Sequence, residues 1–133
     1  MKTVFADTAF YIAFANPRDH RHKIAASVAF DWPGQIITTE YVIVEFGNHL
    51  CHPSDRRIFL RMVEIMEQDM DTQIIPASSE LLQSGLRLFG ERADKRWSLT
   101  DCISFTVMKT HGIIDALTCD RHFEQAGFRA MLI

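Results

Sequence analysis

The sequence predicts a three-layer α/β/α sandwich built on a mostly parallel central sheet of four or five strands. Three observations carry that expectation: five strand-length apolar runs, helical patterns between them, and glycine or proline stops where one pattern gives way to the next. A strand that rejoins its sheet through a helix returns parallel and right-handed, which puts helices on both faces. The composition permits this fold. Of 133 residues, 47% are hydrophobic and 23% charged, the balance of a globular domain and not of a disordered, collagenous or coiled-coil chain. That length corresponds to one domain, expected to span 1–133, able to bury roughly two-thirds of its unfolded surface.

Thr3-Val4-Phe5-Ala6 is the first run and reads as a buried strand ending at Asp7. Helical patterns follow over 8–14 and 21–30, and Asp31-Trp32-Pro33-Gly34 stops the second. Gln35-Ile36-Ile37-Thr38 is the next strand, followed by helices over 40–51 and 54–68. Within 54–71, Phe59, Met62, Val63, Met66 and Met70 recur at helical spacing, a stripe fit for core or a subunit interface. Thr72-Gln73-Ile74-Ile75 reads as a third strand, 78–89 as a helix halted by Gly90, and 99–110 as another helix. A strand over 113–118, a helix over 120–126 with Gly127 just beyond its end, and a strand over 128–133 complete the alternation. The charge run Glu91-Arg92-Ala93-Asp94-Lys95-Arg96 is short enough for a loop, and no repeat or linker divides the chain.

Several function classes drop out early. No apolar run approaches the roughly 20 residues of a bilayer span, and Lys2 and Asp7 interrupt any apolar signal stretch, so a cytoplasmic protein without a membrane partner is expected. Cys51, Cys102 and Cys119 are an odd count without a C-x-x-C pair, which fits reduced thiols in packing roles. A net charge of −3 does not exclude nucleic acid, because a carboxylate site lowers the total while a basic rim still attracts phosphate.

Ligands of parallel sheets bind beyond the carboxyl ends of the strands, which draws attention to acids there. Asp7 and Asp120 each follow an expected strand, although either could simply cap the next helix. Asp101 closes Ser98-Leu99-Thr100-Asp101, a capping-box pattern, so it too has a structural reading. Glu45 has no such role: it sits inside Tyr41-Val42-Ile43-Val44-Glu45-Phe46 with apolar neighbours on both sides. Glu40 would point about 140° away from it on a helix and suits the dipole of a first turn. If the four acids converge, their repulsion demands a cation, and hard oxygen ligands suit Mg²⁺ or Mn²⁺ and a phosphate substrate.

The residues that carry this pattern resemble the PIN-domain ribonucleases, in particular the VapC-type toxins of prokaryotic type II toxin–antitoxin systems. The matching stretches are Val4-Phe5-Ala6-Asp7-Thr8-Ala9-Phe10, Thr39 through Glu45 to Leu50, Trp97-Ser98-Leu99-Thr100-Asp101-Cys102-Ile103-Ser104-Phe105, and Ala116-Leu117-Thr118-Cys119-Asp120-Arg121-His122-Phe123. The resemblance implies catalytic and metal-binding roles for Asp7, Glu45, Asp101 and Asp120, with Thr8 and Thr118 in support. Asp115 competes for the fourth place but lacks the Thr-x-Asp form. Hydrolysis of RNA phosphodiesters with Mg²⁺ or Mn²⁺ follows as the implied activity, with Asp7 and Asp101 as principal ligands, a homodimer and a cognate antitoxin as partner.

Candidate RNA contacts are Arg121 and His122 beside the last acid, Arg18, Arg21 and Lys23 after the first helix, and Arg96 next to Trp97. His49 and His52 lack the further ligands that zinc requires. A haloacid-dehalogenase phosphatase would need an acid where Ala9 stands, and a receiver domain a late lysine that is missing after Lys109. A PIN scaffold that binds RNA or protein without cleaving, and a PIN nuclease outside any toxin pair, stay open as alternatives.

Overall fold

The computed structural model describes residues 2–133. Val4, Phe5 and Ala6 have no exposed surface, so the strand they form, β1 (Thr3–Ala6), is covered on both faces and lies in the middle of its sheet. Four more strands join it: β2 (Gln35–Thr39), β3 (Thr72–Ile75), β4 (Asp115–Leu117) and β5 (Arg129–Ala130), in the order β3-β2-β1-β4-β5 and all parallel. Val4 lies opposite Ile36, and Phe5 is flanked by Ile37 on one side and Ala116 on the other. Seven helices cover the sheet: α1 (Thr8–Ala15), α2 (His22–Asp31), α3 (Glu40–His49), α4 (Arg56–Gln68), α5 (Ser79–Glu91), α6 (Leu99–His111) and α7 (Arg121–Gln125). The architecture is the expected three-layer sandwich.

From β1 the chain steps outward to β2 and β3, then crosses back to lay β4 on the other side of β1. The strand order therefore reverses between β1 and β4, and a crevice opens beyond their carboxyl ends. Asp7 N–H donates to Leu117 O there at 3.2 Å, stitching the two strand ends together. Beneath the crevice Phe5, Phe46 and Phe123 are completely buried, each contributing about 1.5–3 kcal/mol by removal from water. Phe105 meets Phe123 and Trp97 edge-on, with centroids 4.9 and 5.0 Å away, and holds α6 and α7 against each other.

β4 and β5 are shorter than expected at both ends, and their starts are lost for the same reason. Ile113 N–H bonds to Met108 O across Gly112 at φ 66°, and Phe128 N–H bonds to Phe123 O across Gly127 at φ 95°. Both closures finish a helix by tying its last turn to the residue beyond a left-handed glycine, so they consume residues whose apolar character resembles a strand. No helix among the described residues is long and apolar enough to cross a membrane.

Candidate active site

Asp7 sits where β1 turns into α1, in extended backbone, yet its side chain makes no capping bond. The capping alternative thus gives way to another arrangement. Asp7 Oδ2 accepts from Thr118 Oγ1 at 2.9 Å, while Oδ1 is buried without any partner. Thr118 can reach it because it directly follows β4 and is held in place by Leu132 N–H on its carbonyl. Thr8 Oγ1 is likewise buried and unpaired. An unsatisfied buried oxygen costs about 1–3 kcal/mol, and two side by side mark a place built to receive something.

Asp101 is the third residue of α6 and completes the capping box, Oδ2 accepting from Ser98 N–H at 3.1 Å as Ser98 Oγ accepts from Asp101 N–H at 3.0 Å. The same Oδ2 lies 3.0 Å from His122 Nδ1, and Oδ1 takes part in none of these contacts. Asp120 caps α7, its Oδ1 accepting from His122 N–H at 2.9 Å and lying 3.3 Å from His122 Nδ1. Capping and convergence are thus served by the same acids. Glu45, half-buried on α3, joins Asp7, Asp101 and Asp120 around a cavity of about 340 Å³, also bounded by Thr8, His49, Arg96, Ser98 and His122. Glu40 is elsewhere, accepting from Ala77 N–H, and Asp115 pairs with Lys2 and Arg129 at the start of β4.

The electrostatics follow from this crowding. Burial, then Asp101 and Glu45, push the Asp7 carboxyl up to about 7, although the Thr118 hydrogen bond opposes the shift. Asp101 is also raised, chiefly by burial and further by Asp120, against the Ser98 amide and His122. Ligand atoms of Asp101, Asp120 and His122 lie within 4.8 Å of one another, a spacing that a single cation can bridge.

Among the basic candidates, Arg96 and His122 line the cavity. Arg121 instead pairs with Glu124 at 3.1 Å, Arg21 Nε donates to Leu132 O at 3.1 Å, and Arg18 and Lys23 are exposed away from the lining. The sequence reading placed His122 toward substrate; the structure shows it between two carboxylates. The spacing Asp-x-His across a helix start carries that signal, since residue N2 of a helix reaches back to its cap. His49 enters the lining from the turn of α3 after Glu45, which its separation of four residues allows.

A parallel sheet whose crossover crevice gathers carboxylates from four separate elements defines an acid-lined α/β protein with the donor set for a hard divalent cation. Comparison with known proteins makes this specific. The PIN domain family model matches residues 4–129, and the chain belongs to that family. It is similar to the 23S rRNA-specific endonuclease VapC20 of Mycobacterium tuberculosis, 26% identical over 125 residues that span 94% of this chain and 95% of the relative. The crystal structure of VapC20, described as a Sarcin-Ricin loop cleaving toxin, has a TM-score of 0.86 at 25% identity, covering 95% of this chain and 96% of that one. FitAcB from Neisseria gonorrhoeae shares the fold, with a TM-score of 0.64 at 15% identity over 96% of this chain and 95% of that one.

Proposed function

We propose that this protein is a divalent-cation-dependent endoribonuclease and the toxin of a type II toxin–antitoxin pair. The observation that carries the reading is the buried, unpartnered Oδ1 of Asp7, a residue that lines one cavity with Glu45, Asp101 and Asp120. An oxygen-rich donor set fits Mg²⁺ or Mn²⁺, with Asp7 and Asp101 as the principal holders. When bound, such an ion polarises a phosphoryl oxygen and lowers the pKa of a water toward neutrality.

The chain's own residues supply the rest. Thr118 fixes the Asp7 carboxylate by one oxygen and leaves the other for binding. Ser98 and His122 do the same for Asp101. Glu45 and Asp120, the less buried pair, orient the attacking water and take up its proton. Arg96 on the rim offsets the repulsion between phosphate and acids. RNA is the substrate class, with 23S rRNA the first to try because VapC20 bears that name. Residues 1–133 act as one domain, a homodimer is the working assembly, a cognate antitoxin the partner and the cytoplasm the location.

Purified wild type and the variants Asp7→Asn and Asp101→Asn, incubated with total RNA in Mg²⁺, Mn²⁺ or EDTA, test the assignment. Cleavage should require the cation and fall at least 100-fold in both variants. Equal cleavage by all three proteins, or cleavage that survives EDTA, overturns it.

A further inference from the structure

A second cavity is larger than the acidic one. A groove of about 640 Å³ runs between α5, α6 and α7, a volume in the range of small-ligand sites. It is adjacent to the acid pocket across a wall one residue thick: Arg96 and Ser98 line the pocket, whereas Trp97 between them lines the groove. The same division holds along α7, where His122 faces the acids and Gln125 the groove. On α6 the acid is Asp101 and the groove residue Lys109 lies two turns further on, about 12 Å along the axis.

The chemistry of the groove differs from that of the acid pocket. Trp97 is buried as its floor, and the Arg92 guanidinium lies over the indole at 5.0 Å, fixed by both Asp94 oxygens at 3.0 and 3.1 Å. A guanidinium plane held in this way offers its outer face for a base to stack on. Trp97 Nε1 donates to Gln125 Oε1 at 3.0 Å; since the indole can only donate, the Gln125 amide is oriented and its NH₂ is left for a ligand. Arg87 and Lys109, exposed on facing helices, form no ion pair among the described residues, and Glu91 is the only acid in the lining. In a chain of net charge −3 this is a locally cationic, aromatic-floored site beside an anionic one.

We propose that this groove binds an unpaired nucleotide of the RNA flanking the cleaved bond, its base on the Arg92–Trp97 stack and its phosphate on Arg87 and Lys109. The inference rests on the ribonuclease reading. It gives the enzyme a place to recognise a splayed-out base outside the acid pocket, which is how single-stranded RNA is told apart from a helix.

The test is fluorescence anisotropy with a fluorescein-labelled single-stranded oligoribonucleotide of mixed sequence, in EDTA so that cleavage is suppressed, over a salt series. Compared are wild type, the exposed double variant Arg87→Ala/Lys109→Ala, Arg92→Ala, and Arg57→Ala/Arg61→Ala on α4 as a charge-matched control. The groove double variant should bind at least fivefold more weakly and lose about 0.7 from the log–log salt slope, for the one phosphate that Arg87 and Lys109 hold together. Arg92→Ala should weaken binding with little change in slope, and the control should stay within twofold of wild type. Absence of binding by wild type, or groove variants no weaker than the control, overturns the proposal. Cleavage in Mn²⁺, measured in parallel, separates the two ideas: wild-type cleavage with undisturbed groove-variant binding sinks the groove alone, and groove-dependent binding without cleavage sinks the nuclease reading alone.

Discussion

At the scale of single residues, the candidate site is a matter of which oxygen is already occupied. Asp7 and Asp101 each give one oxygen to the scaffold, to Thr118 and to Ser98 with His122, and the other oxygen takes part in none of these bonds. His122 Nδ1 is the shared element, since it reaches Asp101 at 3.0 Å and Asp120 at 3.3 Å. Residues of this kind around metal ligands typically influence affinity or activity 10–100-fold. His122→Ala should therefore lower RNA cleavage by about 10–100-fold. His122→Asn, whose amide nitrogen can donate from close to the Nδ1 position, should recover most of that loss. Steady-state cleavage rates of the three proteins decide; equal loss in both variants would contradict the bridging role. The four acids were legible because strand ends and helix starts are where a parallel sheet places ligands, and because Glu45 had no capping role to explain it. The His122 bridge was not, since a residue two positions past a cap reads equally well as a surface contact until the partner helix is placed.

At the scale of elements, ends marked by a polar cap or a left-handed glycine were legible, whereas Gly90, expected to halt its helix, lies inside α5, which runs on to Glu91. Ser98 caps α6 as its capping-box pattern indicates, and Ser78, expected as the first helical residue, instead caps α5, each accepting from the amide three residues on. Misjudged too are the starts of β4 and β5, where Ile113 and Phe128 look like strand but close the preceding helix. Hydrophobic alternation cannot distinguish the two uses, because both bury the side chain. The α5–α6 packing shows a further constraint invisible to periodicity: a Cβ on Gly85 would lie 2.4 Å from Ile103 Cγ1. Gly85→Val should consequently destabilise the fold by about 1–3 kcal/mol through overpacking, read as a lowered midpoint in urea unfolding. An unchanged midpoint would show that the two helices can separate freely. Because α6 carries Asp101 on one end and Lys109 on the other, the same variant should also weaken cleavage.

At the scale of the whole molecule, the fold concentrates negative charge at the one place where its chain order reverses, and stability must reflect that. Asp7 holds its proton up to about 7 in the folded state, well above an unfolded carboxyl near 4. A group with a raised folded pKa binds more protons folded than unfolded between those values, so its contribution is complete below pH 4 and is lost as pH rises toward 7. With cations removed, thermal stability should fall across that window, by up to about 1.4 kcal/mol per pH unit from Asp7 alone. Asp7→Asn should flatten the slope. Scanning calorimetry in EDTA from pH 4 to 8 reads both, and a wild-type melting temperature that rises steadily across the window, with the variant following it, would contradict the assigned charge state.

The expectations about cleavage depend on Asp7, Glu45, Asp101 and Asp120 acting together as a receptor for one class of ion. Isothermal titration of wild type, Asp7→Asn and Asp101→Asn with Mn²⁺ tests that directly, without any RNA present. The account predicts saturable binding by wild type and at least tenfold weaker binding by each variant. Wild type that takes up no Mn²⁺, or variants that bind it as tightly, would contradict it.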